Sequence, residues 1–173
     1  MGQTTVKKDR LKRAIVIYDT KYGNTEKIAR TLELGIREAG IQTFCADARD
    51  IAPESLKEYD LIAIGAPTQK LTASKPMKAF LQGLKNTNLK GKLGFAFDTK
   101  LDSRLSGSAA KYIENAMKKL EFEIFAPRAS ARVRGLGEKE GGAELKELEE
   151  TLFHHIGVQI GSTLAAREKE IPA

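Results

Sequence analysis

The sequence has one cysteine, no tryptophan and two histidines, and its longest apolar runs fall well short of the roughly 18 residues that a transmembrane helix needs. Because Cys45 is alone, no internal disulfide can form, and its thiol is expected to be a small buried group in a strand. No secretory signal pattern is present. These absences together predict a protein of the cytoplasm.

The motifs of nucleoside-triphosphate and dinucleotide binding are also missing. No Gly-x-x-x-x-Gly-Lys-Ser/Thr run occurs, and Gly135-Leu136-Gly137 is followed by Gly141, one position too late for the dinucleotide fingerprint. His154 and His155 have no metal ligand at i+4 and belong to no carboxylate or cysteine partner motif. The sequence therefore predicts no catalytic residue and no metal ligand.

Basic residues outnumber acidic ones, 29 to 23, which gives a formal net charge of +6. Much of the excess lies at the N-terminus, where charge runs are usually solvated. We therefore predict a basic arm at residues 1–12 ahead of one domain at 13–169, and we expect no nucleic-acid partner. An apolar content of 41% suits a globular domain with a sizeable core.

Apolar runs and amphipathic segments alternate along the chain. The runs predict strands at 12–18, 41–46, 61–65, 92–97 and 122–126. Helical periodicity predicts helices at 25–39, from Pro76, at 106–120 and at 143–166, with a polar segment at 127–142. This alternation predicts an α/β fold, a doubly wound five-stranded parallel sheet in the order 2-1-3-4-5 with helices on both faces.

A polar loop connects the first strand to the first helix, and this arrangement is typical of an anion site. The N-terminus of a helix offers unpaired N–H groups and a positive dipole end. Thr20, Asn24 and Thr25 add polar side chains, and Gly23 permits a positive φ angle. In the predicted strand order this loop meets the loop at 66–75 at the point where the chain reverses direction, which is where such sheets bind ligands.

The residues Thr20-Lys21-Tyr22-Gly23-Asn24-Thr25 resemble the phosphate loop of flavodoxins, Ser/Thr-x-Ser/Thr/Tyr-Gly-Asn-Thr. Gly65-Ala66-Pro67-Thr68 resembles the second flavin loop of that family, and Phe97-Asp98-Thr99-Lys100 stands where the third would be. Residues 97–110 are similar to the corresponding stretch of stand-alone flavodoxin-domain proteins of bacteria and archaea. The resemblance spans residues 13–165.

The resemblance implies bound flavin mononucleotide (FMN), with its phosphate at the first loop and its ring between the other two. The cofactor-binding residues implied in this way are Thr20, Lys21, Tyr22, Gly23, Asn24, Thr25, Ala66, Pro67, Thr68, Gln69, Phe97, Asp98, Thr99 and Lys100.

Two departures from the family pattern concern the ring. Flavodoxins stack aromatic residues on the ring, but here the second loop has none and the third has only Phe97, so weaker flavin binding is expected. Lys70, Lys75, Lys100 and Arg104 surround the expected ring site, which is usually acidic in electron carriers. Because cations stabilise the anionic reduced flavin, a less negative reduction potential is expected.

The implied function is electron transfer between redox partners, and the basic surface favours acidic ones. Two alternatives remain open. One is an FMN-dependent NAD(P)H:quinone-type reductase, although Pro67-Thr68-Gln69-Lys70-Leu71 departs from the Pro-Thr-Arg-Phe-Gly run of that class. The other is a flavin-free binding or regulatory module. If the chain is an enzyme, an FMN-dependent oxidoreductase is expected, and the oligomeric state stays open.

Overall fold

A computed structural model describes residues 10–135 and 143–169. Its helices are α1 (Asn24–Glu38), α2 (Lys75–Gly83), α3 (Ala109–Lys119) and α4 (Glu149–Lys169). Its strands are β1 (Arg13–Tyr18), β2 (Gln42–Asp47), β3 (Leu61–Gln69), β4 (Thr72–Ala73), β5 (Leu93–Leu101), β6 (Glu123–Ile124), β7 (Ala129–Arg134) and β8 (Glu144–Leu145). None of the helices in these ranges is long and apolar enough to cross a lipid bilayer.

The sheet confirms the predicted order. Its path is β2-β1-β3-β5-β7-β8, and the neighbours from β2 to β7 run parallel. The chain reverses direction between β1 and β3, so the ends of these two strands meet at one edge. The carboxyl-terminal edge of β1, β3 and β5 is therefore where the predicted loops converge.

The edge strand next to β5 differs from the prediction. The strand expected at 122–126 is reduced to β6, which pairs with the start of β5, while β7 pairs with the end of β5. No strand was predicted in the polar segment at 127–142, but β7 lies in it, and its residues 136–142 lie outside the described part of the chain. A second, antiparallel strand, β8, then closes the sheet beside β7.

Strands β1 and β3 are buried on both faces, as their continuous apolar runs predict. Ile15, Ile17, Ile62 and Ile64 point into one core with α2 and α3. Val16, Ala63, Phe95 and Phe97 point into a second core, with α1 and α4. Each fully buried isoleucine contributes on the order of 2 kcal/mol through removal of its side chain from water.

Glycines set the distance between α1 and α4. An ideal Cβ on Gly35 would lie 2.3 Å from the carbonyl oxygen of His154, and one on Gly157 would lie 2.4 Å from that of Leu32. No Cβ can approach a backbone oxygen so closely without moving it. The two helices can therefore pack backbone against backbone only because glycine occupies both positions.

Two predicted loops are in fact strand extensions. β3 continues to Gln69 and turns back through Lys70 and Leu71 into β4, while β5 continues to Leu101. Lys70 and Leu71 have φ values of 46° and 69°, as both central residues of a type I′ hairpin turn require. The polar strand ends escaped detection because they lack the apolar pattern of the strand interiors.

Two helices begin later than predicted. Ser108 caps α3, because its hydroxyl accepts a hydrogen bond from the Lys111 N–H at 3.1 Å. α4 begins at Glu149 and not at 143, since Glu144 and Leu145 pair with β7 and Leu148 has a φ of 70°, which no α-helix accommodates.

The first described residues are held against the domain. Arg10 pairs with Asp60 at 2.6 Å and Arg13 with Glu58 at 2.9 Å. The predicted basic arm at 1–12 is therefore attached from Arg10 onward, and its residues 1–9 lie outside the described part of the chain. The boundary at residue 13 stays a prediction.

Candidate functional site

A cleft of about 320 Å³ opens at the carboxyl-terminal edge of the sheet, which is within the usual size range of small-molecule sites. Four segments form its walls: the β1–α1 loop, the β3–β4 hairpin, the end of β5, and the β7–β8 hairpin. The lining residues are Thr20, Lys21, Tyr22, Asn24, Thr25, Pro67, Thr68, Gln69, Lys70, Thr99, Lys100, Leu101, Val133, Gly135 and Ala143.

The N-terminus of α1 forms one end of the cleft. Gly23 has a φ of 88° and occupies the cap position with no side-chain cap on the helix. Its own N–H donates to Thr20 Oγ1 at 3.0 Å, which closes the loop. The N–H groups of the first turn are thus left for an external acceptor, and with Lys21 beside them they suit an anion.

Two side chains of this loop bond to distant parts of the wall. Thr25 Oγ1 and Thr99 Oγ1, both buried, lie 2.8 Å apart and share a hydrogen bond. The Asn24 side-chain amide donates to the carbonyl of Ala143 at 2.6 Å. These bonds fix the α1 end of the cleft relative to β5 and to the β7–β8 hairpin.

Asp98 lies behind the cleft and not in its wall. Its carboxylate is fully buried, and Oδ2 accepts hydrogen bonds from the Ser108 hydroxyl at 2.8 Å, the Ala110 N–H at 2.9 Å and the Thr68 hydroxyl at 3.2 Å. Thr68 Oγ1 in turn accepts from the Ala109 N–H at 2.9 Å. Asp98 therefore anchors Thr68 and the start of α3, and its Oδ1 has no hydrogen-bond partner among the described residues.

Ten of the fourteen predicted site residues line the cleft, and Gly23, Ala66, Phe97 and Asp98 do not. Phe97 is fully buried, 6.2 Å from the Phe95 ring and 6.0 Å from the Phe153 ring. Among the described residues of the lining, Tyr22 is the one aromatic side chain. Sequence reasoning left Leu101, Val133, Gly135 and Ala143 out of the site.

The lining is positively charged. Among residues 10–135 and 143–169 it contains Lys21, Lys70 and Lys100 and no carboxylate, histidine or thiol. Lys100 Nζ donates to the carbonyl of Gly107 at 3.2 Å, which turns this ammonium toward the loop that follows β5. The other two predicted cations, Lys75 and Arg104, are not in the lining. The described part of the cleft can therefore hold a dianionic group.

Cys45 and His154 do not line the cleft. Burial, the largest effect, raises the pKa of the Cys45 thiol to about 12 and leaves it protonated. Over residues 10–135 and 143–169 no three His, Cys, Asp or Glu side chains are placed to hold a metal ion. His154 is paired with Glu38 on the outer surface at 2.9 Å.

An ion cluster holds the β7–β8 hairpin onto β5. Asp102, just after β5, accepts hydrogen bonds from Lys146 and from Arg132, the latter at 2.9 Å. The Lys146 bond, followed by its charge and by Arg132, lowers the pKa of Asp102 from its ordinary value. Because the folded-state pKa is the lower one, this stabilisation is present above the unfolded pKa and is lost as the pH falls through the folded one.

We expect acid to loosen this wall of the cleft before it unfolds the core. The Lys146 N–H donates to the Arg132 carbonyl at 2.9 Å and reports on the hairpin. Its hydrogen-exchange protection factor should fall as the pH drops below about 3.9, the ordinary Asp value. In Asp102→Asn the protection factor of this N–H should be low at every pH. If it instead falls with acid as much as in the unmodified protein, another group controls the hairpin.

Comparison with known proteins identifies the chain. The family model for flavodoxin matches residues 16–170. The chain belongs to the flavodoxin family. A flavodoxin of Clostridium saccharobutylicum is 36% identical over 87 residues, 49% of this chain and 53% of that protein. The type A flavoprotein FprA of Rhodobacter capsulatus is 27% identical over 128 residues, 71% of this chain and 28% of that one. The chain thus spans about half of one of these relatives and less than a third of the other.

Solved structures agree on the fold. A flavodoxin from the domain Archaea has a TM-score of 0.73 at 24% identity, with 88% of this chain and 99% of that chain covered. Flavodoxin family proteins bind FMN, so the predicted family and cofactor are confirmed. The open first turn of α1 and Lys21 fit the phosphate of FMN, whereas the ring would meet few aromatic side chains from the described part of the lining.

Proposed function

We propose that this flavodoxin is an FMN-containing electron carrier, with the phosphate in the Thr20–Thr25 loop and the ring between Pro67–Gln69 and Thr99–Lys100. The observation that carries the proposal is the convergence of these segments on one cleft whose anion-binding end is an uncapped helix N-terminus. The flavin would supply the redox chemistry by accepting and releasing one or two electrons.

The residues of the chain would bind and orient the cofactor. First-turn N–H groups of α1 would donate to the phosphate, and Lys21 would offset its charge. The Thr25–Thr99 bond and the Asp98–Thr68 bond would hold the phosphate end and the ring end of the cleft in a fixed relative position. Because stacking area is limited to Tyr22, the affinity should be lower than in flavodoxins with two stacked aromatics.

We favour the carrier function over a reductase because Pro67-Thr68-Gln69-Lys70-Leu71, which forms the β3–β4 wall of the cleft, departs from the Pro-Thr-Arg-Phe-Gly run of that class. We further propose redox proteins as partners, acidic ones among them, since Lys70 and Lys100 border the expected ring site. The cytoplasmic location stays a prediction from the sequence.

Reconstitution with FMN tests the proposal. Protein incubated with FMN and desalted should be yellow and should show flavin absorbance, and a colourless preparation would contradict every flavin-dependent function. The holoprotein should then oxidise NAD(P)H with a quinone acceptor only when a separate reductase is added. Steady turnover without that reductase would identify an enzyme instead of a carrier.

Thr25→Ala tests the placement of the phosphate. This change removes the bond to Thr99 and loosens the loop, so the dissociation constant for FMN should rise about five-fold, which corresponds to about 1 kcal/mol for one neutral hydrogen bond. The matched control is Thr31→Ala on the same helix, whose exposed hydroxyl bonds only to the Lys27 carbonyl. Equal affinities in the two variants would place the phosphate elsewhere.

A further inference from the structure

A second concavity lies between α2 and α3, on the side of the sheet away from α1 and α4. Its volume is about 400 Å³, larger than that of the cofactor cleft. Its lining comes only from these two helices and their final turns and comprises Lys78, Leu81, Gln82, Lys85, Tyr112, Asn115, Ala116, Lys119 and Leu120. We call it the α2–α3 groove.

The spacing of these residues gives the groove the shape that accepts a helix. On one side positions 78, 81, 82 and 85 line it, and on the other positions 112, 115, 116 and 119 do. Both sets follow the pattern i, i+3, i+4, i+7, which is one face of a helix over two turns. Two such faces side by side leave a channel into which the ridge of a third helix can pack.

The charge of the groove is of one sign. Its lining holds three lysines and no carboxylate. Within the described residues none of the three forms an ion pair, and Lys78 instead lies 4.9 Å from the centre of the Tyr112 ring. The one acidic residue of α3, Glu114, is buried and bonded to Lys118 and Arg128.

The cations stand at the two ends of an apolar floor. Lys78 and Tyr112 mark one end, Lys85 and Lys119 the other, and Leu81, which is buried, lies between them. Residues seven apart on a helix are separated by about 10.5 Å. A matching ligand would carry negative charges roughly that far apart with apolar groups between them.

We propose that the α2–α3 groove docks an amphipathic helix of a partner protein that carries Asp or Glu seven residues apart on its apolar face. The lysines provide charge complementarity, and Leu81, Ala116 and Leu120 provide the apolar contact. The groove lies on the surface of the domain apart from the cofactor cleft, so this docking does not depend on the bound flavin.

A pair of designed peptides tests the proposal. The acidic probe is an 18-residue amphipathic helix with Glu at i and i+7 around Leu residues, and the basic probe has Lys in place of both Glu (lengths set by about 1.5 Å per residue). Fluorescence anisotropy should show that the acidic probe binds at least ten-fold more tightly than the basic one. Added salt should weaken this binding.

Charge reversal in the groove should reverse the preference. The double variant Lys85→Glu with Lys119→Glu should bind the acidic probe at least ten-fold more weakly and the basic probe more tightly than the unmodified protein does. Its affinity for FMN should stay unchanged, which would show that it is folded. Lys27→Glu with Lys90→Glu, the same charge change outside the groove, should behave as the unmodified protein.

Three results would overturn the proposal. One is an equal fall in affinity for the acidic probe in both double variants, which would mean that net charge alone drives binding. Another is equal binding of the two probes by the unmodified protein. The third is displacement of the acidic probe by micromolar ADP or pyrophosphate, which would make the groove a site for a small anion.

Discussion

Gly157→Ala is expected to lower the free energy of unfolding by about 2 to 3 kcal/mol, and the melting temperature by roughly 6 to 10 °C. The added methyl would lie 2.4 Å from the Leu32 carbonyl oxygen and 3.0 Å from Gly35 Cα. Both are backbone atoms of α1, so no side chain can rotate away to relieve the overlap. The helices must separate, which opens the core around Ile36 and Ile160.

Gly83→Ala is the matched control. Gly83 ends α2 with a helical φ of −64°, and nothing lies within 4 Å of the position that its Cβ would take. Alanine there should stabilise the protein by about 0.5 to 1 kcal/mol through its higher helix propensity. Chemical denaturation of both variants gives the comparison, and a neutral or stabilising Gly157→Ala would contradict the close approach of α1 and α4.

The order of the sheet could be predicted because its information is local. Each central strand is a continuous apolar run, such as Ile15-Val16-Ile17, and each is followed by a helix with a clear apolar stripe. Parallel strands joined by helices allow few topologies. The strand β7 has no continuous apolar run, because in Ala129–Arg134 small or apolar residues alternate with Ser130, Arg132 and Arg134, and this weaker period-2 signal was not recognised.

The cofactor loop was predictable for a related reason. Thr20–Thr25 is contiguous, so its helix start and glycine can be read without knowledge of the fold. The β7–β8 wall was not, since among the described residues it bonds to the loop through Asn24 and Ala143, which are 119 residues apart in the sequence. Asp98 was expected to approach the ring, but a carboxylate at the end of a strand does not reveal that it turns toward the α3 N-terminus.

Replacing both Lys70 and Lys100 with Gln is expected to make the reduction potential of bound FMN more negative by roughly 80 mV. Both lysines line the cleft and, being partly exposed, should each stabilise the anionic reduced flavin by about 1 kcal/mol. About 2 kcal/mol corresponds to that shift in the second one-electron step, which forms the fully reduced anion, whereas the two-electron midpoint potential shifts by half as much. Redox titration of the holoprotein measures it.

Two variants control for the loss of charge. Lys90→Gln should leave the potential unchanged, because Lys90 pairs with Glu121 at 2.9 Å near the start of β5, at the other edge of the sheet. The double variant Lys70→Arg with Lys100→Arg should keep the reduction potential of the unmodified protein, since both positive charges remain. An unchanged potential in the glutamine double variant would mean that the ring does not lie beside these lysines.

The same shift must appear in binding, because the potential and the two affinities form one thermodynamic cycle. If Lys70 and Lys100 act on the reduced flavin alone, their replacement should weaken binding of reduced FMN about 30-fold, the equivalent of about 2 kcal/mol. The affinity for oxidised FMN should change little, since its phosphate is held at the α1 end of the cleft. If the affinities for oxidised and reduced FMN fall equally, the lysines attract the FMN dianion in both oxidation states and do not affect the potential.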